Sequence, residues 1–257
     1  NNTKVLLPVH FAGQTCDMEV IFNIAKSKNL FVIEDAAHAI GSKYHDGSMV
    51  GNCRYSNMTV FSFHPVKTIA TGEGGAITTN NPEYYEKLKI LRSHGIVREP
   101  DKMEKNPGIW YYEMQELGFN YRMTDMQAAL GISQLKNLDK FVFRRREIVN
   151  HYNQNFSGIQ NITLPYEKYK NSSAFHLYVL QIDFQKIAKS RNDLMSELKS
   201  KNIGTQVHYI PVHTHPYYRN NFGYKGGDYP VAETYYYNAL SIPLYPKMTD
   251  EEIQYVI

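Results

Sequence analysis

Three short apolar runs that end in polar or flexible residues constrain the fold of this chain most strongly. They occupy residues 31–33, 58–63 and 76–79. Short apolar runs with polar groups at their C-terminal ends are typical of buried, parallel-type strands that present chemistry at one edge of a sheet. Asp35, Ser62, Lys67 and the glycine-rich turn 72–75 lie at or between these ends. The pattern therefore predicts an α/β fold in which these groups meet at one crevice.

Composition limits the class of protein and of partner. The chain has 257 residues, of which 42% are hydrophobic and 21% charged, values that suit one large or two smaller globular domains. A net charge of +3 does not point to nucleic acid or to a membrane surface. No apolar segment reaches the ~18 residues of a membrane span. Cys16 and Cys53 lack the spacing of a metal site and are too few for a disulfide framework, which favours a reducing cytoplasm.

The groups at the predicted crevice match the needs of pyridoxal phosphate (PLP). This aromatic aldehyde requires a lysine amine for covalent attachment and a carboxylate opposite its ring nitrogen. Its phosphate requires hydroxyl and backbone N–H donors. Lys67, Asp35 and Ser62 supply one of each, and glycines at 72, 74 and 75 let the backbone approach closely.

Six sequence blocks resemble one protein family. They are EDAAHAIG (34–41), SFHPVK (62–67), GEGG (72–75), GFNYRMT (118–124), QAALG (127–131) and HYIPVH (208–213). In this order they resemble the DegT/StrS-type sugar aminotransferases, which are PLP-dependent enzymes of fold type I that act on nucleotide-linked keto sugars. The blocks span most of the chain.

The resemblance implies a role for each cofactor-site residue. Lys67 would hold PLP and act as the catalytic base, and Asp35 would pair with the ring nitrogen. His38 would lie near the ring, and Ser62 would bind the phosphate. Asn120 would reach the phosphate held by a neighbouring subunit, so that a homodimer builds two shared sites.

The resemblance also implies a substrate. Within this family the sequence resembles the transaminases of the pseudaminic acid route, which aminate C4 of a UDP-linked 4-keto-6-deoxy-N-acetylhexosamine, with glutamate as the expected donor. His213 is the predicted substrate contact. Two rival hypotheses are a sugar dehydratase, in which histidine replaces the lysine, and an inactive fragment or non-catalytic binding domain. Lys67 favours transamination over dehydration.

The predicted organisation is an incomplete large domain over residues 1–156, with a mixed, mostly parallel sheet and a long interdomain helix. A smaller α+β domain follows over residues 157–257. Family members carry a further segment before the point where this chain starts, and we expect a short truncation at the other end as well. Helical periodicity predicts one helix from Thr124 past Leu138, and residues 203–210 are predicted as a strand. A zinc site at His208, His213 and His215 is the weaker alternative for that region, because no cysteine or nearby acid completes it.

Overall fold

A computed structural model describes residues 2–257. These residues form two units, one made of residues 2–10 and 15–138 and the other of Phe11–Gln14 and Asp139–Ile257. Helix α4 (Leu138–Phe156) lies almost wholly in the second unit. The predicted domain boundary after residue 156 stays a prediction.

The first unit is built on a mixed four-stranded sheet. Its strands, in spatial order, are β1 (Val5–Leu6), β2 (Phe31–Asp35), β3 (Met58–Ser62) and β4 (Gly75–Thr78). β1, β2 and β3 run parallel, and β4 is antiparallel to β3. The predicted mixed, mostly parallel sheet is confirmed.

Three helices and a small hairpin complete the first unit. They are α1 (Met18–Lys28), α2 (Pro82–Leu91), β5 (Ile96–Val97), β6 (Glu113–Met114) and α3 (Asp125–Leu135). α1 crosses between the parallel strands β1 and β2. Its buried residues Met18 and Ala25 belong to a core that includes Val32 of β2 and Phe61 of β3. This packing stabilises the strands that end in Asp35 and Ser62.

The second unit has a three-stranded antiparallel sheet. Its strands, in order, are β7 (Ile162–Thr163), β8 (Tyr178–Ile182) and β9 (Ala239–Ile242). Its helices after α4 are α5 (Arg191–Ser200), α6 (Pro216–Phe222), α7 (Pro230–Asn238) and α8 (Asp250–Val256). Ile148 and Tyr152 of α4 pack in one core with Leu180 of β8 and Leu240 of β9.

Replacing Ile148 with alanine is expected to destabilise the second unit by about 2–5 kcal/mol, because the change leaves a cavity in a close-packed core. Ile148 is 0% exposed, whereas Phe143 on the same helix is 65% exposed. Phe143→Ala is therefore the matched control, with little expected loss. Urea unfolding of both variants checks this, and equal losses would contradict the assignment of the core face.

Two predictions about secondary structure are wrong. The helix after Thr124 is not continuous, since α3 ends at Leu135 and α4 begins at Leu138. Residues 203–210 form no strand; their one ladder contact is an isolated bridge from Gln206 to Ser241. β9 pairs with β8 along its whole length instead, and local sequence patterns carry no information about this partner choice.

Two further observations concern membrane-spanning helices and the two cysteines. No helix within residues 2–257 is both long enough and apolar enough to span a membrane. Cys16 and Cys53 are free thiols. The predicted cytoplasmic location stays a prediction.

Candidate active site

The ends of β2 and β3 bring predicted site residues to one edge of the sheet. Asp35 ends β2 and pairs in register with Val60 of β3, two residues before Ser62 at the end of that strand. Ser62 lies opposite Gly75, the first residue of β4. Because β2 and β3 are parallel, their carboxyl ends lie at the same edge of the sheet, where ligands bind in open α/β sheets.

The main chain holds Asp35 firmly at this edge. Its N–H donates to the carbonyl of Pro8 (2.9 Å), and its carbonyl accepts the N–H of His10 (2.9 Å). The carboxylate Oδ1 accepts the N–H of Ala37 (3.0 Å). The side chain is half-buried, so the carboxylate is fixed in position but still open to a ligand.

Lys67 lies on the loop that leaves β3. Its N–H donates to the carbonyl of His64 (2.9 Å), which closes a turn around Pro65. The side chain is half-buried. Burial lowers the pKa of the Lys67 ammonium, and the negative charge of Asp35 acts against that shift. Asp35 and Lys67 therefore lie close enough to interact electrostatically, although they are far apart in sequence.

The glycine-rich turn closes the loop that carries Lys67. The N–H of Phe63 donates to the carbonyl of Gly74 (2.8 Å), and that of Thr71 donates to the carbonyl of Phe63 (2.9 Å). A Cβ on Gly75 would lie 2.7 Å from the Phe61 carbonyl oxygen, so only glycine fits there. Gln127, in the capping box of α3, donates to the Glu73 carbonyl (2.9 Å) and ties this helix to the turn.

His38 and Asn120 lie in different environments of the first unit. His38 follows Asp35 by three residues and is buried, with 9% of its surface exposed. Asn120 is exposed and forms an isolated bridge with Ser93. Its predicted contact with a neighbouring subunit stays a prediction. Gly118 beside it approaches Gly95 so closely that a Cβ would lie 2.1 Å from the Gly95 nitrogen.

His213 belongs to the second unit. It is 8% exposed, and its Nε2 hydrogen-bonds Glu233 Oε1 (2.8 Å). Glu233 also accepts the N–H of Gly227, so it anchors the segment between the short 3₁₀ helix Val212–Thr214 and α7. His213 is therefore a loop anchor here, and its predicted contact with substrate stays a prediction. Within residues 2–257, no three His, Cys, Asp or Glu side chains converge as a metal site would require.

A buried polar cluster that the sequence did not predict lies next to Asp35. Glu34 is 0% exposed. Its Oε2 accepts from Tyr44 (2.7 Å) and pairs with His10 Nε2 (2.6 Å), and its Oε1 accepts from Ser56 and from Thr59 (3.0 Å). Burial tends to raise the pKa of Glu34, but the hydrogen bonds from His10, Ser56 and Tyr44 hold it below its usual range. An acid inside an apolar strand was the available signal, because such a group requires buried partners.

Comparison with known proteins identifies the family. The DegT/DnrJ/EryC1/StrS aminotransferase family matches residues 1–257. The chain belongs to this family. A Campylobacter jejuni relative, UDP-4-amino-4,6-dideoxy-N-acetyl-beta-L-altrosamine transaminase, is 39% identical over 249 residues, which cover 96% of this chain and 62% of the relative.

Solved structures of family members share the fold. The Helicobacter pylori aminotransferase PseC, involved in the biosynthesis of pseudoaminic acid, superposes with a TM-score of 0.89 at 31% identity, covering 99% of this chain and 65% of PseC. The PLP-form of the putative sugar aminotransferase Spr1654 from Streptococcus pneumoniae superposes with a TM-score of 0.86 at 31% identity. The superposition covers 99% of this chain and 66% of Spr1654. The chain thus spans less than two thirds of the length of these relatives.

Proposed function

We propose that the protein is a PLP-dependent aminotransferase that converts a nucleotide-linked keto sugar to the amino sugar. The observation that supports this proposal is that the charge of Asp35, at the end of β2, acts on the half-buried amine of Lys67. A half-buried amine with a lowered pKa and a fixed carboxylate are the two groups that PLP chemistry requires. They lie beside a serine hydroxyl and a glycine turn, so the donor set fits this cofactor.

The residues of the site have distinct proposed roles. PLP, when bound, supplies a carbonyl that combines with amines and a ring that stores electrons. Lys67 holds the cofactor by its amine, and once released it moves a proton as general acid and base. Asp35 keeps a proton on the ring nitrogen, since a carboxylate there stabilises the positive charge. Ser62 would donate to the phosphate, and His38 would lie near the ring.

The lowered pKa of Lys67 supports its proposed role. An ammonium has no lone pair and cannot attack a carbonyl, so a lysine needs to lose its proton to act. Burial of the side chain favours the neutral amine. The Asp35 charge limits this effect, which keeps the amine able to accept a proton during turnover.

The substrate proposal rests on relatives. The Campylobacter transaminase is named for a UDP-linked amino sugar, and PseC for pseudoaminic acid biosynthesis. We propose a UDP-linked 4-keto-6-deoxy-N-acetylhexosamine as substrate and glutamate as amino donor. His213 is the proposed sugar-nucleotide contact. Asn120 is proposed to bind the cofactor phosphate of a second copy in a homodimer, which its exposed position permits.

Covalent trapping tests the proposal. The intact protein is incubated with PLP, reduced with borohydride and digested, and the modified peptide is mapped by mass spectrometry. We expect PLP on Lys67, with a visible absorbance band before reduction that persists after dialysis. Exposed Lys26 on α1 is the internal control and is expected to stay unmodified. Absence of PLP from Lys67 would contradict the proposal.

A further inference from the structure

Consecutive residues of β2 face two different environments. Side chains alternate between the faces of a strand, so Glu34 and Asp35 project to opposite sides of the sheet. Glu34 is 0% exposed in its polar cluster, whereas Asp35 is half-buried at the edge. Since the two residues share a peptide bond, whatever immobilises Glu34 also immobilises the strand end that carries Asp35.

His10 is joined to both of these residues. Its N–H donates to the Asp35 carbonyl (2.9 Å), and its Nε2 hydrogen-bonds Glu34 Oε2 (2.6 Å). The N–H of Cys16 lies 3.1 Å from Nδ1, and Nε2 carries the proton that is donated to Glu34. One residue therefore ties the segment after β1 to two successive residues of β2.

The rest of the cluster makes this tie rigid. Tyr44, Ser56 and Thr59 donate to the remaining positions on the Glu34 carboxylate, so four donors serve its two oxygens. Fully satisfied buried networks specify one arrangement of the groups that form them. His10 and Glu34 are both 0% exposed, so neither can touch a substrate.

We propose that His10 and Glu34 are positioning residues that hold the Asp35 carboxylate in place beside Lys67. The inference rests on the proposed function, because it takes Asp35 as the partner of the cofactor ring. It adds two residues to the site that act only through Asp35.

The pKa of Lys67 reports on the position of Asp35 without any cofactor. The Asp35 charge raises this pKa against the effect of burial. If the tie through His10 is lost and the Asp35 carboxylate moves away, the pKa of Lys67 falls further. The amine then reacts with an acylating reagent at lower pH.

The experiment measures acetylation of Lys67 by acetic anhydride as a function of pH, in the intact protein freed of cofactor, with quantification by peptide mass spectrometry. The central variants are His10→Asn and His10→Gln. The glutamine amide is long enough to donate to Glu34, and the asparagine amide is too short. We expect His10→Asn to lower the midpoint of the Lys67 acetylation profile by about half a pH unit. Below the midpoint, this corresponds to an approximately threefold higher rate of acetylation. His10→Gln is not expected to lower it.

A double variant separates positioning from general destabilisation. Asp35→Asn removes the charge and is expected to lower the midpoint. His10→Asn combined with Asp35→Asn is expected to match Asp35→Asn alone, because His10 acts through Asp35. Met18→Ala removes packing from the core of the first unit but removes no hydrogen bond of the cluster, so it lowers stability without moving the midpoint. Should His10→Asn not fold, His10→Leu replaces it in the same scheme.

An unchanged midpoint in His10→Asn, or an additive shift in the double variant, would overturn the proposal. So would an unchanged midpoint in Asp35→Asn. PLP trapping at Lys67 is measured separately on the same wild-type protein. If His10→Asn shifts the Lys67 midpoint only when Asp35 is present, but PLP is not trapped on Lys67, the proposed function alone is refuted. If PLP is trapped but His10→Asn does not shift the midpoint in this way, the positioning role alone is refuted.

Discussion

Lys67→Ala is expected to abolish covalent binding of PLP and to lower transamination by about a thousandfold or more, since removal of a nucleophile typically costs at least this much. No other lysine sits in the stretch from Asp35 to the glycine turn except Lys43, which is exposed. Replacement by alanine removes the attachment point and the proton carrier together. The measurements are the visible absorbance of the PLP-loaded protein and amino transfer from the proposed donor, glutamate, to the proposed UDP-linked keto sugar.

Lys26→Ala is the matched control for this prediction. Lys26 is an exposed lysine of α1, so its loss is expected to leave both absorbance and turnover unchanged. Full retention of the absorbance band in Lys67→Ala would contradict the assignment of the attachment site.

Asp35→Asn is expected to lower kcat by about a hundredfold or more, comparable to the loss of one preorganised electrostatic group in an active site. The amide is neutral and cannot stabilise a proton on the ring nitrogen. Its oxygen can still accept the N–H of Ala37, so the strand end keeps its local hydrogen bond. The expected loss therefore lies in turnover, with the free energy of unfolding changed by only about 1 kcal/mol.

The check is steady-state kinetics together with urea unfolding of the same preparation. Asp101→Asn changes an exposed acid of the first unit and is expected to alter neither quantity. Wild-type turnover in Asp35→Asn would rule out its proposed role, and a large loss of stability would show that the residue acts on the fold instead.

Local signals in the sequence correctly predicted much of the scaffold. The apolar runs became β2, β3 and β4 because each is short, β-prone and bounded by polar or glycine residues. Thr124 caps α3, where the sequence predicts a helix start, and its hydroxyl accepts the N–H of Gln127. These features depend on neighbours within a few residues, which a single sequence contains.

Periodicity predicted the apolar face of α3 but not its surroundings. Met126 is 82% exposed and Ile132 is 59% exposed, although both fit the helical pattern. A repeat of 3.6 residues indicates that one face is apolar. It does not say which element, if any, packs on that face.

Residue order was thus enough to predict the α/β class, the family and the location of Asp35 at a strand end. The three-dimensional fold was needed to bring His10 and Glu34 together, to choose β9 as the partner of β8, and to bring Lys67 within electrostatic range of Asp35. The physical reason is that burial, strand pairing and charge interaction arise between residues far apart in the chain. Their energies depend on distances that do not exist until the sheet has formed.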